Sequence, residues 1–338
     1  MDNKVKLDSH VSLAHGNGGR YMRELIDEVF ARHLSNDLLD VQADAVPLTL
    51  DKGEVVFTTD GFTVQPLEFP GGNIGSLAVH GTTNDLAVAG AIPKYLSLNA
   101  FIEEGLEMAV LDRLVASLAV AASEIGVKVV AGDTKVLPRG EGGGLYLATT
   151  GVGVRSGKAM DMKNIQHGDV MIVSGPVGDH GIAVMLAREA FGLKGNIRSD
   201  SASVLPLTQA ALKYENLHFM RDPTRGGLAT VCSEIQRATG MGVRLNQSDI
   251  PVRDEVTSVC EMLGYDPLYL ACEGRVVAII NESESMALLK SWHAIEAGKN
   301  AVIIGSIDAD LNHVVLQTPI GGERILEELE DDPLPRIC

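Results

Sequence analysis

The chain has 338 residues, enough at roughly 100 to 200 residues per domain for two domains with substantial cores. Its 45 acidic and 28 basic side chains leave a formal charge of −17, which repels phosphate backbones and anionic membrane and so argues against nucleic-acid or membrane-surface partners. Hydrophobic residues at 45% and charged residues at 22% exclude a disordered or collagen-like chain, and no run approaches the roughly 18 apolar residues of a membrane span.

The first residues, MDNKVKLDSHVSLAHG, carry no apolar stretch of the kind a secretory signal needs, so a cytoplasmic location is expected. Met22, Leu25, Ile26, Val29, Phe30 and Leu34 recur at helical spacing, which predicts an amphipathic helix over 20–34 behind the loop His15-Gly16-Asn17-Gly18-Gly19. Val55 to Thr59 reads as a strand running into Asp60-Gly61. Gly75 to Val88 and Met108 to Ile125 read as helices, with Tyr95 to Phe101 extended between them. Val127 to Val130 makes a strand ending in Gly132-Asp133-Thr134, and a glycine-rich turn over 140–144 leads to the strand Leu145 to Val154. A change of texture near 155–165 marks a domain boundary. Beyond it come a strand at Val170 to Val173, helices near 179–191 and 204–214, the loop Arg221-Asp222-Pro223-Thr224-Arg225-Gly226-Gly227, a helix from Leu228, and strands at 275–280 and 301–307. An acidic, helix-like run over 327–332 is stopped by Pro333 and Pro335, leaving a free tail that ends in Cys338. The organisation is α/β (α+β) in two domains, 1–158 and 159–330, with 331–338 as the tail.

Asp60, Asp85 and Asp133 are expected where a strand or helix meets a turn, and Asp222 in the Arg-Asp-Pro-Thr-Arg-Gly-Gly loop. Mg²⁺ prefers hard oxygen ligands, so carboxylates at loop mouths suit a nucleotide-metal site, although Asp is also an ordinary turn former and helix cap. The Gly18 and Gly226 loops each precede a helix, whose positive end favours an anion, but neither is a Walker A sequence and tight turns use the same residues. Lys135 offers a point charge for a phosphate, or is simply a surface lysine. The cysteines, Cys232, Cys260, Cys272 and Cys338, show neither a Cys-x-x-Cys spacing nor a disulfide framework and are expected to be reduced. A thiol at 338 on a proline-stiffened tail is either a travelling carrier or a frayed end. Six residues at roughly 3.3 Å each span about 20 Å. The histidines lack zinc spacing and there is no Gly-x-Ser-x-Gly elbow.

Taken together, His-Gly-Asn-Gly-Gly (15–19), Thr-Thr-Asp-Gly (58–61), Asn-Asp-Leu-Ala (84–87), Gly-Asp-Thr-Lys (132–135), Arg-Asp-Pro-Thr-Arg-Gly-Gly (221–227) and terminal Pro-Arg-Ile-Cys (335–338) resemble the HypE family. These are hydrogenase expression/formation proteins, maturation factors of NiFe-hydrogenases, within the aminoimidazole ribonucleotide synthetase/selenophosphate synthetase-like ATP-binding superfamily. The resemblance covers essentially the whole chain. It implies a homodimer whose N-terminal domains pair their sheets, a C-terminal α/β domain, and ATP in the cleft between domains. It further implies that Cys338 arrives S-carbamoylated from a carbamoyltransferase, HypF. ATP then drives dehydration to a thiocyanate, and the cyanide passes to iron on a HypC–HypD scaffold. On that resemblance Asp60, Asp85, Asp133 and Asp222 are assigned to Mg²⁺ with ATP, Asn84, Thr134, Lys135, Gly18 and Gly226 to the nucleotide, and Glu273 to removal of the N–H proton. Cys272 beside Glu273 departs from the expected pattern and threatens to complicate thiol labelling. Selenophosphate synthetases carry a reactive cysteine near the N-terminus, whereas the first cysteine here is Cys232. Thiamin-monophosphate kinase and aminoimidazole ribonucleotide synthetase leave the terminal thiol unexplained. A non-enzymatic cyanide carrier is the alternative of a different class, and it predicts no nucleotide binding.

Overall fold

The computed structural model describes residues 8–43, 45–188 and 195–329. Its contacts divide the chain into two units, the first made of residues up to Leu86 with Ile92–Ser156, the second of Ala87–Ala91 and the residues from Gly157 onward.

Four strands build the first unit's sheet, in the spatial order Glu54–Phe62, Leu145–Arg155, Ile92–Glu103, Lys128–Leu137. The first two pairings are antiparallel and the last is parallel, so the last two strands need a crossover, which the helix Met108–Ile125 supplies. Period-two alternation gives the sheet two unlike faces: Leu96, Leu98, Ala100 and Ile102 are buried, while the interleaved Tyr95, Ser97, Asn99 and Phe101 are more open. In the helix, Leu111, Leu114, Leu118 and Ala122 form the buried stripe. Gly126, at φ +79°, ends it in the left-handed conformation, where glycine carries no Cβ penalty. A second helix, Ile74–Val88, lies close against the first, since a Cβ on Gly75 would collide with the Leu114 carbonyl. It is fixed to the sheet by a buried hydroxyl pair, Thr82 with Thr149, and Thr149 Oγ1 also donates to the Ala78 carbonyl at 3.3 Å.

The second unit centres on a seven-stranded sheet in the order Glu323–Ile325, Val314–Gln317, Gly242–Asn246, Val302–Asp308, Val170–Val173, Val277–Ile280, Leu217–Arg221. Every pairing is antiparallel except Val314–Gln317 with Gly242–Asn246. Both faces of its centre are covered, so the central strands are apolar throughout rather than alternating. Met171, Val173, Val277 and Ile279 point into a core with Leu228 and Ile235 of the helix Gly227–Thr239. Val170, Ile172, Ala278 and Ile280 point into the other, with Leu207, Leu288 and Trp292.

Four sequence expectations need correction. The strand Glu54–Phe62 runs straight through Asp60-Gly61, and Lys128–Leu137 runs through Gly-Asp-Thr-Lys, so Asp60 and Asp133 sit within strands and not at their mouths. Asp85 likewise lies inside the helix Ile74–Val88. His15 closes a short 3-10 turn, Leu13–Gly16, and is buried. Glu327 and Glu328 are not helical. They follow the strand Glu323–Ile325, and Glu328 pairs with Arg237 at 2.7 Å. The tail, with Cys338, lies outside the described residues.

Candidate functional site

The strand Glu54–Phe62 and the helix Ile74–Val88 bring Asp60 and Asp85 together. Thr58 and Asp60 share a strand face, being two residues apart, and that face is the one Thr149 occupies opposite Asp60, toward the helix. Thr58 Oγ1 donates to Asp85 Oδ2 at 2.8 Å, while Asp60 Oδ2 comes within 3.6 Å of where a Gly81 Cβ would stand. Gly81 and Asp85 are one helical turn apart, so both carboxylates converge on the same helix face. Asn84, beside Asp85, is buried. Thr58, which steadies Asp85, was not read from the sequence, although strand alternation through Thr-Thr-Asp was a signal for it.

Asp133 lies elsewhere. It pairs in register with Asn99, which pairs with Ala148, which pairs with Gly61, so it stands on the face opposite Asp60 and three strand spacings away, about 14 Å. Lys135, two residues on and on the same face, sits 2.7 Å from Asp133 Oδ2, and both side chains are more than half exposed. The Lys135 ammonium, helped by the Thr134 N–H at 2.8 Å, holds the Asp133 carboxyl below its usual range. Thr134 turns the other way, is 6% exposed, and its buried Oγ1 has no hydrogen-bond partner. Asp133 and Thr134 line a cavity of about 430 Å³ walled by Ile26, Phe30, Leu39, Val46 and Leu98. That volume falls in the range of small-molecule pockets, and an unsatisfied hydroxyl on a mostly apolar wall is the kind of group that orients a ligand. The first-unit aspartates thus fall into two places, and among the described residues no group of three or more His, Cys, Asp or Glu is arranged to hold a metal by itself. Gly18 has φ +74° and open space around it, at the start of the helical segment that walls the cavity.

In the second unit Asp222 follows the strand Leu217–Arg221 directly and is buried. The turn after it is locked to the Glu273 segment, since Cys272 N–H donates to the Pro223 carbonyl at 3.0 Å. Gly226 and Gly227 have φ +69° and +60°, and a Cβ on Gly227 would stand 2.6 Å from the Leu268 and Leu270 carbonyl oxygens. Packing therefore demands these glycines irrespective of any anion. Glu273 is 4% exposed. Cys272 is fully buried, with burial holding its thiol well above the ordinary range and Gly178 N–H donating to its sulfur at 3.2 Å. Cys232 and Cys260 are also buried, each thiol pushed up to about 12, chiefly by desolvation. The feared interference from Cys272 is removed by its burial. Of the interior histidines, His180 is buried against Ser199 Oγ at 2.8 Å, and His218 is buried against Asp169 at 2.6 Å.

A family model described as AIR synthase related protein, N-terminal domain, matches residues 42–155, and its C-terminal-domain counterpart matches 166–316. The chain is 45% identical to carbamoyl dehydratase HypE of Azotobacter vinelandii, covering 97% of each. Among solved structures, hydrogenase maturation protein HypE in complex with ATP superposes with a TM-score of 0.91 at 41% identity, over 96% of this chain and 99% of that one. A HypE–HypF complex gives a TM-score of 0.79 at 41% identity, over 90% and 99%.

Proposed function

The chain belongs to the HypE family of carbamoyl dehydratases, within the AIR synthase related proteins, and from that premise we propose how its own residues carry the reaction. It uses ATP to dehydrate a thiocarbamate on Cys338 to a thiocyanate, which supplies the cyanide ligand of the NiFe-hydrogenase iron. The observation that carries the assignment of the thiol is the inertness of the other three: Cys232, Cys260 and Cys272 are buried with raised thiol pKa values. Group transfer needs a reachable sulfur, so none of these three suits it.

An amide oxygen is a poor leaving group. Transfer of the γ-phosphoryl group of ATP to the thiocarbamate oxygen releases ADP and turns that oxygen into phosphate ester. Removal of the N–H protons then expels phosphate and leaves the C≡N triple bond on sulfur. Glu273, buried in a fixed segment, takes an N–H proton. Lys135 is the cation read toward the nucleotide, exchanging its present partner Asp133 on the sheet face opposite Asp60, while Thr134, turned the other way, offers its unpaired hydroxyl to the cavity. The cavity beside them supports a nucleotide at this place. The Asp60–Asp85 pair suits Mg²⁺, which characteristically takes one or two carboxylates and completes its shell with phosphate oxygens and water. When bound, the ion supplies neutralisation of phosphate charge. Asp133 lines the cavity, and Gly18 precedes the helical segment that walls it.

The open face of the first unit's sheet supports a homodimer, since Phe57 and Val55 are 65% and 53% exposed there and Phe101 joins them. HypF as carbamoyl donor, HypC–HypD as acceptor and the cytoplasm as location belong to the same reading. A heavy-oxygen label placed in the thiocarbamate carbonyl tests the mechanism. It is expected in the released inorganic phosphate, and its appearance in water would overturn the phosphoryl-transfer step.

A further inference from the structure

The second unit holds a buried ionic cluster around Cys272–Arg275 that the chemistry above leaves without a role. The Asp200 side chain is fully buried. Its Oδ1 accepts the N–H of Glu273 at 3.2 Å, its Oδ2 accepts the N–H of Gly274 at 3.3 Å, and Arg275 Nε lies 3.4 Å from Oδ2. Arg275 Nε also donates to the Pro176 carbonyl at 2.9 Å and its guanidinium stands 3.5 Å from Asp179, which Arg253 holds at 2.8 Å. The two segments touch so closely that a Cβ on Gly274 would collide with the Asp200 carbonyl. The Asp200 side is tied down separately, because Ser199 Oγ pairs with His180 and accepts the Ser201 N–H at 3.0 Å.

A buried carboxylate is costly unless its oxygens are satisfied, and here they are satisfied by the two amides that bracket Glu273 and by one guanidinium. Fixing both amides fixes the backbone on each side of Glu273, and with it the direction of that side chain. We propose that Asp200 is a positioning residue for Glu273, holding the base in line with the thiocarbamate N–H; this rests on the reading of Glu273 as the base. Displacement of a reacting group by about 1 Å can cost about a hundredfold in rate.

The test uses the full chain carrying S-carbamoyl Cys338, with single-turnover dehydration followed by mass and ATP binding by calorimetry. Asp200→Asn keeps the size but sets an N–H₂ donor against a backbone N–H donor. Dehydration is expected to fall by about 10- to 100-fold with ATP affinity unchanged, and the same change in a Glu273→Gln background is expected to lower the residual rate no further. Additive losses in the double variant, or a parallel loss of ATP affinity, would assign Asp200 a merely structural role and overturn the proposal. So would a wild-type rate for Asp200→Asn when Glu273→Gln is impaired. A wild-type rate for Glu273→Gln refutes the base assignment itself. If Asp200→Asn does not fold, Arg275→Lys, which loosens the same carboxylate, takes the same comparison with the same two outcomes.

Discussion

The burial of three thiols makes a quantitative forecast for alkylation. At pH 7.5 an ordinary cysteine with a pKa of about 8.5 is about 9% thiolate, whereas a thiol at about 12 is roughly 3 parts in 100,000. Cys232 and Cys260 are held at about 12, and Cys272 is fully enclosed. Thiolate fraction alone therefore separates an ordinary thiol from Cys232 and Cys260 by about 3,000-fold, before steric exclusion slows them further. Native protein treated with iodoacetamide and read by intact mass is expected to take one alkyl group, at Cys338. Cys338→Ser is expected to take none over the same interval, and concentrated urea should expose the remaining three thiols. Alkylation of Cys338→Ser at the wild-type rate would show that a thiol described here as enclosed is reachable, and the assignment by elimination would fail.

Further outcomes follow from the same geometry. Asp60→Asn should weaken Mg²⁺-dependent ATP binding at least tenfold by calorimetry, and Thr58→Ala, which removes the bond steadying Asp85, by about 10- to 100-fold; binding unchanged in both would place the metal nucleotide elsewhere. Gly227→Ala meets a left-handed backbone and two carbonyl oxygens, so it should lose about 2 to 4 kcal/mol in urea unfolding. A loss under about 0.5 kcal/mol would contradict that packing. Burial keeps His180 neutral down to about 4, against 6.5 when exposed, so between those values the unfolded chain binds the extra proton. The stability from that neutral imidazole is complete above pH 6.5 and is lost toward pH 4 at up to about 1.4 kcal/mol per pH unit. His180→Gln should flatten this slope, and an identical slope in both proteins would refute the assignment.

The helix over 108–125 was legible because Leu111, Leu114, Leu118 and Ala122 recur at helical spacing and glycine stops it at Gly126. Asp60 and Asp133 were misplaced to turns because Asp-Gly and Gly-Asp-Thr carry turn-forming residues, whereas ladder pairing across four strands overrides that local preference. The face of each carboxylate follows from alternation once the strand is known to continue, so the separation of Asp60 from Asp133 was within reach of the sequence only through register. Asp200 left no trace, since Ser-Asp-Ser-Ala-Ser reads as an ordinary loop and its partners lie more than seventy residues away. The acidic run misled for a related reason: Glu328 is held by Arg237 of another element, not by a helical neighbour.

The central claim is that ATP removes water from a carbamoyl group carried on Cys338. Intact mass of the protein after treatment with the carbamoyltransferase and carbamoyl phosphate, with and without Mg²⁺-ATP, measures it directly. The account predicts a carbamoyl addition absent from Cys338→Ser, which loses the mass of one water only when ATP is present. ATP consumption with no change in mass would contradict it and make the protein an enzyme acting on a free small molecule.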